Sequence, residues 1–248
     1  MRKLTLRSSA RQNAGRAEID YLEYELDHGS SAMEKEFWIN AWNTGRTAFH
    51  QGKFHEKLTE FFPSLKPQKG QRVLVPLCGK SVDMLWLQNQ GLSVHGVELH
   101  EQAVQSFFSD NHLSPVEKTQ DAHFQNYSHE RILLSCGDFF QLDEKSTYDF
   151  VYDRAALVAL PSQMRKAYAQ VIKRSLRKGG KCLLIVYDYD QSKMEGPPFS
   201  VSGSEIQSLY HDQFNIRLLE EKKPENEGPR LGAVQGMLQK VYVLEKEA

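Results

Sequence analysis

The sequence predicts an α/β fold: a doubly wound, mostly parallel sheet covered by helices on both faces. Three observations carry this. Short apolar runs recur along the chain, and segments of helical periodicity, about 10–15 residues long, separate them, which is the spacing of βαβ units. The chain of 248 residues, 40% of them hydrophobic, is long enough to bury a core without metal or disulfide staples. Strands joined this way place ligands in the crevice beyond their carboxyl ends.

The elements follow in order after Met33. Glu34–Trp42 sets Phe37, Trp38 and Trp42 at helical spacing, and Phe54–Phe62 is a second helix stopped by Pro63. Arg72–Pro76 is a buried strand, Val82–Gln90 a helix ended by Gly91, and Ser93–Leu99 the second strand. After a helix over Gln102–Asn111 come strands at Ile132–Cys136 and Tyr148–Asp153. Gln163–Leu176 is a long helix closed by the basic turn and glycines of Lys178-Gly179-Gly180. Lys181–Tyr187 is apolar enough to be a central strand. A helix over Ser202–His211 precedes two closing strands, Phe214–Glu220 and Lys240–Leu244, with the polar loop Lys222–Pro229 between them. These add up to seven strands.

Composition excludes several classes. With 31 Lys+Arg against 32 Asp+Glu, the chain lacks the positive charge that binds nucleic acid through its backbone. Mean hydropathy is −0.56 and no apolar run approaches membrane-spanning length. Cys78, Cys136 and Cys182 are far apart, as reduced thiols of a cytoplasmic protein would be. The 9 histidines form no metal-binding pattern, so no metal is expected.

Residues 1–32 differ from the rest. Met1–Ala17 carries Arg2, Lys3, Arg7, Arg11 and Arg16 and no acid, whereas Glu18–Asp27 carries five acids and no base. The segment reads as a mobile arm. A transit peptide, or an extension upstream of a start at Met33, are the alternatives. Residues 33–248 read as one domain.

The segment Val73–Glu98 holds the strongest functional signal. It runs strand, Pro76-Leu77-Cys78-Gly79-Lys80 turn, helix, strand, acid. An acid about 20 residues past a glycine turn, at the end of the second strand, is the ribose-binding position of this fold. A turn with the single Gly79 in place of G-x-G-x-x-G is a poor pyrophosphate cradle, which favours a nucleoside cofactor without phosphate. S-adenosylmethionine answers that description. The plain alternative is a tight connection followed by a surface acid. Cys136-Gly137-Asp138-Phe139-Phe140 follows the third strand, where an acid and an aromatic suit an adenine. Asp153-Arg154 ends the fourth strand, where a reaction centre belongs, although such pairs are more often surface ion pairs.

The chain resembles the thiopurine S-methyltransferase family, in a form more like its bacterial members. The residues that carry this are Trp38-x-x-x-Trp42-x-x-Gly45-x-Thr47-x-Phe49-His50, Pro76-Leu77-Cys78-Gly79-Lys80, Gly96-Val97-Glu98, Asp153-Arg154-x-Ala156-Leu157-Val158-Ala159 and Gly196-Pro197-Pro198-Phe199, in that order. The resemblance implies the Rossmann-like seven-stranded sheet of class I methyltransferases with an N-terminal helical lid. It implies S-adenosylmethionine as cofactor, held by Trp38, Trp42, Leu77, Gly79, Glu98, Cys136, Gly137, Asp138 and Arg154. It places Phe49, Arg154, Pro198, Phe199 and Arg230 at the acceptor, with Arg154 and Asp153 as the catalytic pair. The implied partner is a small-molecule thiol, or a selenium or tellurium compound. Nucleic acid and membrane are not expected partners, and a monomer is expected. A nucleoside-binding module without turnover is the alternative from another class.

Overall fold

The computed structural model describes residues 36–45, 50–115, 117–224, 231 and 234–247. The arm at residues 1–32, Phe49 and Arg230 lie outside them. The chain divides into two compact units, Met1–Arg46 and Thr47–Ala248. In the first, helix α1 spans residues 36–43. Its Phe37 and Trp38 rings meet edge to face at 5.2 Å, and the Thr44 hydroxyl donates to the Asn40 carbonyl at its end.

The second unit is a sheet of nine strands: β1 (Arg72–Pro76), β2 (Ser93–Glu98), β3 (Glu117–Gln120), β4 (Gln125–His129), β5 (Ile132–Cys136), β6 (Tyr148–Arg154), β7 (Leu176–Asp188), β8 (Phe214–Lys222) and β9 (Leu238–Lys246). Their order is β3-β4-β5-β2-β1-β6-β7-β9-β8. The central five, β5 to β7, are parallel, while β3, β4, β8 and β9 pair antiparallel. The helices are α2 (Glu56–Phe61), α3 (Asp83–Asn89), α4 (Glu101–Asp110), α5 (Ser162–Ser175) and α6 (Gly203–Tyr210).

Two apolar layers cover the sheet, as expected of a doubly wound fold. On one face Leu58, Met84, Leu87, Val104 and Phe107 of α2 to α4 pack on the strands. On the other, Tyr168, Ile172, Ile206 and Tyr210 of α5 and α6 do so. Strand order reverses between β1 and β6, which makes their carboxyl ends the switch-point crevice.

The structure departs from the sequence reading in two places. The seven expected strands are present, and β3–β4 adds two more. Every residue of β3 is exposed and only Tyr127 of β4 is buried, so this hairpin has no apolar alternation to announce it. Lys178-Gly179-Gly180 does not close the long helix. The basic last turn of α5 is Lys173 and Arg174, and β7 begins at Leu176. Tyr148 pairs with Leu176 but Phe150 with Lys181, so the glycines sit in a bulge, with Gly179 at φ 70°.

Beneath the crevice lies a buried polar line. His95 meets the Tyr148 hydroxyl through Nδ1 and Ser135 Oγ through Nε2, and Ser135 donates to Asn126. Burial, with Arg72 nearby, lowers the His95 pKa to about 3. The imidazole is therefore neutral at physiological pH and serves as a hydrogen-bond bridge between β2, β5 and β6.

Candidate functional site

Four strand ends converge on the crevice. The turn after β1 holds two residues in the left-handed region, Leu77 at φ 45° and Gly79 at φ 53°. The Cys78 amide donates to Val97 O at 3.0 Å, which ties the turn to β2. Gly96 is needed for this approach, because a Cβ there would fall 2.8 Å from Cys78 Sγ.

Glu98 ends β2 with its side chain buried. Oε2 accepts the Gly79 amide at 2.9 Å and Oε1 the His100 amide at 2.8 Å. It is thus no free surface acid. Burial pushes its pKa up, and the amides of His100, Gly79 and Leu99 pull it back. Each oxygen retains lone-pair capacity beyond that one amide.

Beyond β5, the Gly137 amide donates to Glu98 O at 2.8 Å, so Gly137 lies beside the acid. A Cβ on Gly137 would come within 2.4 Å of His123 O, which shows how closely the β3–β4 hairpin loop covers this turn. Asp121 holds that loop, accepting the amides of His123 and Phe124. Asp138 accepts the Phe140 amide at 3.1 Å and so starts the turn Phe139–Gln141. Phe139 is a core residue packed on Tyr168, 5.2 Å between rings. Cys136 and Cys78 lie near Glu98, and burial raises both thiols, Cys136 to about 11. Neither is a nucleophile at neutral pH.

Asp153 and Arg154 end β6 on opposite faces, by strand alternation. Asp153 is 1% exposed. Its Oδ2 accepts the Tyr168 hydroxyl at 2.7 Å and its Oδ1 the Leu157 amide at 3.1 Å. Neither a surface ion pair nor a solvent-facing proton carrier has this geometry. The carboxylate folds the chain over Ala155, at φ 60°, into the turn Leu157–Ala159. Arg154 is half-buried on the face of Tyr152. Burial, then the Lys80 and Arg154 cations, hold the His50 imidazole below its usual value against Asp110 and Asp83, so His50 lies on the Arg154 side as well.

Burial raises the Asp153 pKa to about 6, against the hydrogen bonds from Tyr168, Leu157 and Ala156. The unfolded chain releases this proton near pH 4. Folded protein therefore binds more protons between about pH 4 and pH 6, and stability falls as pH rises through that window, by on the order of 3 kcal/mol. Asp153→Asn keeps a donor–acceptor pair for Tyr168 and Leu157 and removes the titration. Urea denaturation of both proteins from pH 4 to 7 should show the variant gaining on the wild type; parallel pH curves would contradict the shift.

The Gly196–Phe199 turn reaches the same region. Phe199 N donates to Val158 O at 2.6 Å, which sets Pro198 and Phe199 against the loop after Arg154. Tyr189 donates to Pro198 O, and Gln191 accepts the Ser200 amide at 2.8 Å. The peptide bonds 196–197 and 197–198 are cis. Tyr189, Gln191, Tyr168 and Asp121 all support the site and were missed in the sequence, where each is an ordinary polar residue. Trp38 and Trp42 lie on α1, in the other compact unit.

Among the described residues no group of His, Cys, Asp and Glu could hold a metal, and no helix is long and apolar enough to cross a membrane.

Known proteins resemble this chain. The family model for thiopurine S-methyltransferase matches residues 33–247. A thiopurine S-methyltransferase of Bordetella pertussis is 46% identical over 192 residues, 77% of this chain and 87% of its own. One from Nitrosospira multiformis is 44% identical over 200 residues, 80% of this chain and 90% of its own. Among solved structures, 1,6-didemethyltoxoflavin-N1-methyltransferase of Burkholderia thailandensis, bound to S-adenosylhomocysteine, superposes with a TM-score of 0.62 at 16% identity, covering 88% of this chain and 89% of its own. Haemonchus contortus phosphoethanolamine N-methyltransferase 2, in complex with S-adenosyl-L-methionine, gives 0.57 at 15%, covering 77% of this chain and 52% of its own. Those two share the fold. The single-glycine turn, the acid after β2 and the Asp-Arg end of β6 fall within the span that the family model matches: this chain belongs to the thiopurine S-methyltransferase family.

Proposed function

We propose that this protein transfers the methyl group of S-adenosylmethionine to the sulfur of thiopurines and related aromatic or heterocyclic thiols. Family membership over residues 33–247 is the observation that carries this reading. The chain's own chemistry fits the cofactor: a buried carboxylate with spare lone pairs ends β2, and the turn facing it has one glycine and no phosphate cradle.

When bound, the cofactor supplies an activated methyl on a sulfonium, with a neutral thioether to leave. Glu98 would take the ribose hydroxyls, Leu77 and Gly79 would line the turn beside it, and Cys136, Gly137 and Asp138 would border the adenine. Trp38 and Trp42 of α1 are the residues that the family resemblance assigns to the cofactor from the N-terminal segment. Pro198 and Phe199 would border the acceptor, and the family resemblance assigns Phe49 and Arg230 to it as well. The acceptor reacts as its thiolate, the proton having passed to solvent, so no base is needed in the step, and the neutral leaving group needs no acid. Arg154, always cationic, stabilises that thiolate and, with no free lone pair to accept a proton, does not act as a base. Asp153 braces the turn behind Arg154 and moves no proton. Positioning of the two sulfurs supplies most of the acceleration, on the order of 7–11 kcal/mol at best.

Residues 33–248 form the methyltransferase domain in this reading and residues 1–32 an arm. In this reading the protein is a cytoplasmic monomer acting on small molecules without nucleic acid or membrane; the near-zero net charge suits the absence of nucleic acid, and the free cysteines suit a reducing compartment.

A calorimetric titration with S-adenosylhomocysteine, then an acceptor panel of 6-mercaptopurine, thiophenols and selenite read by mass spectrometry, tests it. Binding with methylated thiols is the expected result. Absence of binding refutes the cofactor; binding with methylation of selenite alone refutes the acceptor class.

A further inference from the structure

We infer that Asp83 is a positioning residue for methyl transfer, clasping the reactive end of β6 to the chain at His55. The inference rests on the reading of Arg154 as the acceptor-side cation.

Strand β6 is held unevenly along its length. It registers with β1 only at Val73 with Phe150 and Leu74 with Val151. Its last three residues pair on one side alone, Tyr152, Asp153 and Arg154 with Leu183, Leu184 and Ile185 of β7. On the β1 side the register ends at Val151, which opens the crevice. Side chains brace the strand end there. On the α5 face Asp153 is held by Tyr168. On the other face the Tyr152 hydroxyl donates to Asp83 Oδ2 at 2.9 Å.

Asp83 has a second bond. Its Oδ1 accepts the His55 amide at 2.8 Å, across 28 residues of sequence. Asp83 is 2% exposed and Tyr152 is 1% exposed, so both bonds are shielded from water. His55 also caps α2, its Nδ1 accepting the Lys57 amide. One carboxylate therefore joins three elements: the start of α3 just past the glycine turn, the end of β6 two residues before Arg154, and the entry to α2 five residues after His50. Helix α3 does not use this carboxylate as a cap: Ser81 Oγ accepts the Asp83 amide at 3.3 Å instead. Asp83 is committed to the clasp.

The test uses the full chain with Asp83→Leu, Asp83→Asn and Tyr152→Phe. Asparagine preserves both bonds, its carbonyl accepting from His55 and its amide donating to the Tyr152 oxygen. Leucine removes both, and Tyr152→Phe removes only the β6 bond. At saturating S-adenosylmethionine, Asp83→Leu should lower kcat for 6-mercaptopurine about tenfold or more, since small misplacements of a reacting group cost this much. S-adenosylhomocysteine affinity should stay within about threefold. Tyr152→Phe should show part of the loss, and Asp83→Asn should restore kcat to within about twofold. Amide exchange at Tyr152–Arg154, relative to β2, should rise in Asp83→Leu and not in Asp83→Asn.

A kcat unchanged in both Asp83→Leu and Tyr152→Phe would overturn the inference. So would a loss of cofactor affinity equal to the loss of kcat, which marks general damage. If Asp83→Leu does not fold, Tyr152→Phe, which deletes a single hydroxyl, decides the matter by kcat and exchange alone. A wild-type protein that binds S-adenosylhomocysteine yet methylates no thiol would defeat the functional reading instead; unchanged exchange at β6 in Asp83→Leu would still defeat the clasp.

Discussion

Arg154→Ala is expected to lower kcat for thiopurine methylation by about 100- to 1,000-fold, the usual effect of removing a charge aimed at the reacting group. S-adenosylhomocysteine affinity should fall by no more than about threefold. The cation sits at the tip of β6, half-buried, where its field is less screened than in water. Deleting it leaves a thiolate to be desolvated without compensation, so the loss should grow as the acceptor becomes more acidic and more fully ionised. Arg154→Lys should recover only part of the rate, because an ammonium is a compact point charge without the planar fork. Steady-state kinetics at saturating S-adenosylmethionine over thiols of graded acidity would measure this. Unchanged turnover across the series would remove Arg154 from the reaction.

The second large effect is at Glu98. Glu98→Ala should weaken S-adenosylmethionine by about one to two kcal/mol through lost charged hydrogen bonds to the ribose. It should also destabilise the free protein. The Gly79 and His100 amides each lose their carboxylate acceptor, and a buried unsatisfied donor costs about 1–3 kcal/mol. Glu98→Gln separates the two effects, since one carbonyl can still serve one amide while the charge is gone. Calorimetry against S-adenosylhomocysteine and urea denaturation of the free protein give the two numbers independently. Equal affinity in wild type and Glu98→Ala would reject the ribose assignment even if stability fell.

Both residues were legible in the sequence because each closes a short apolar run that the doubly wound fold must turn into a parallel strand. Position at a strand end is a property of order and spacing, and those survive without coordinates. The orientation of Asp153 did not survive. Alternation places it opposite Arg154, but only the fold puts Tyr168, 15 residues on, behind it. Asp83 reads as an ordinary acid in a first helical turn; its partners, His55 and Tyr152, are 28 and 69 residues away. The β3–β4 hairpin was invisible because it buries almost nothing, although its loop closes over Gly137. Glycine was the misleading signal at Gly179, where a residue suited to ending helices instead relaxes a strand bulge.

The reversal of strand order between β1 and β6 divides labour within the sheet. Residues assigned to the cofactor within it come chiefly from β1, β2 and β5; those assigned to the acceptor come from β6 and the Gly196–Phe199 turn after β7. The two sets meet at one seam. Selection acting on the acceptor side can therefore retune what is methylated while the cofactor half stays untouched. A laboratory library confined to the loops after β6 and β7 should yield altered acceptor range at constant S-adenosylmethionine affinity.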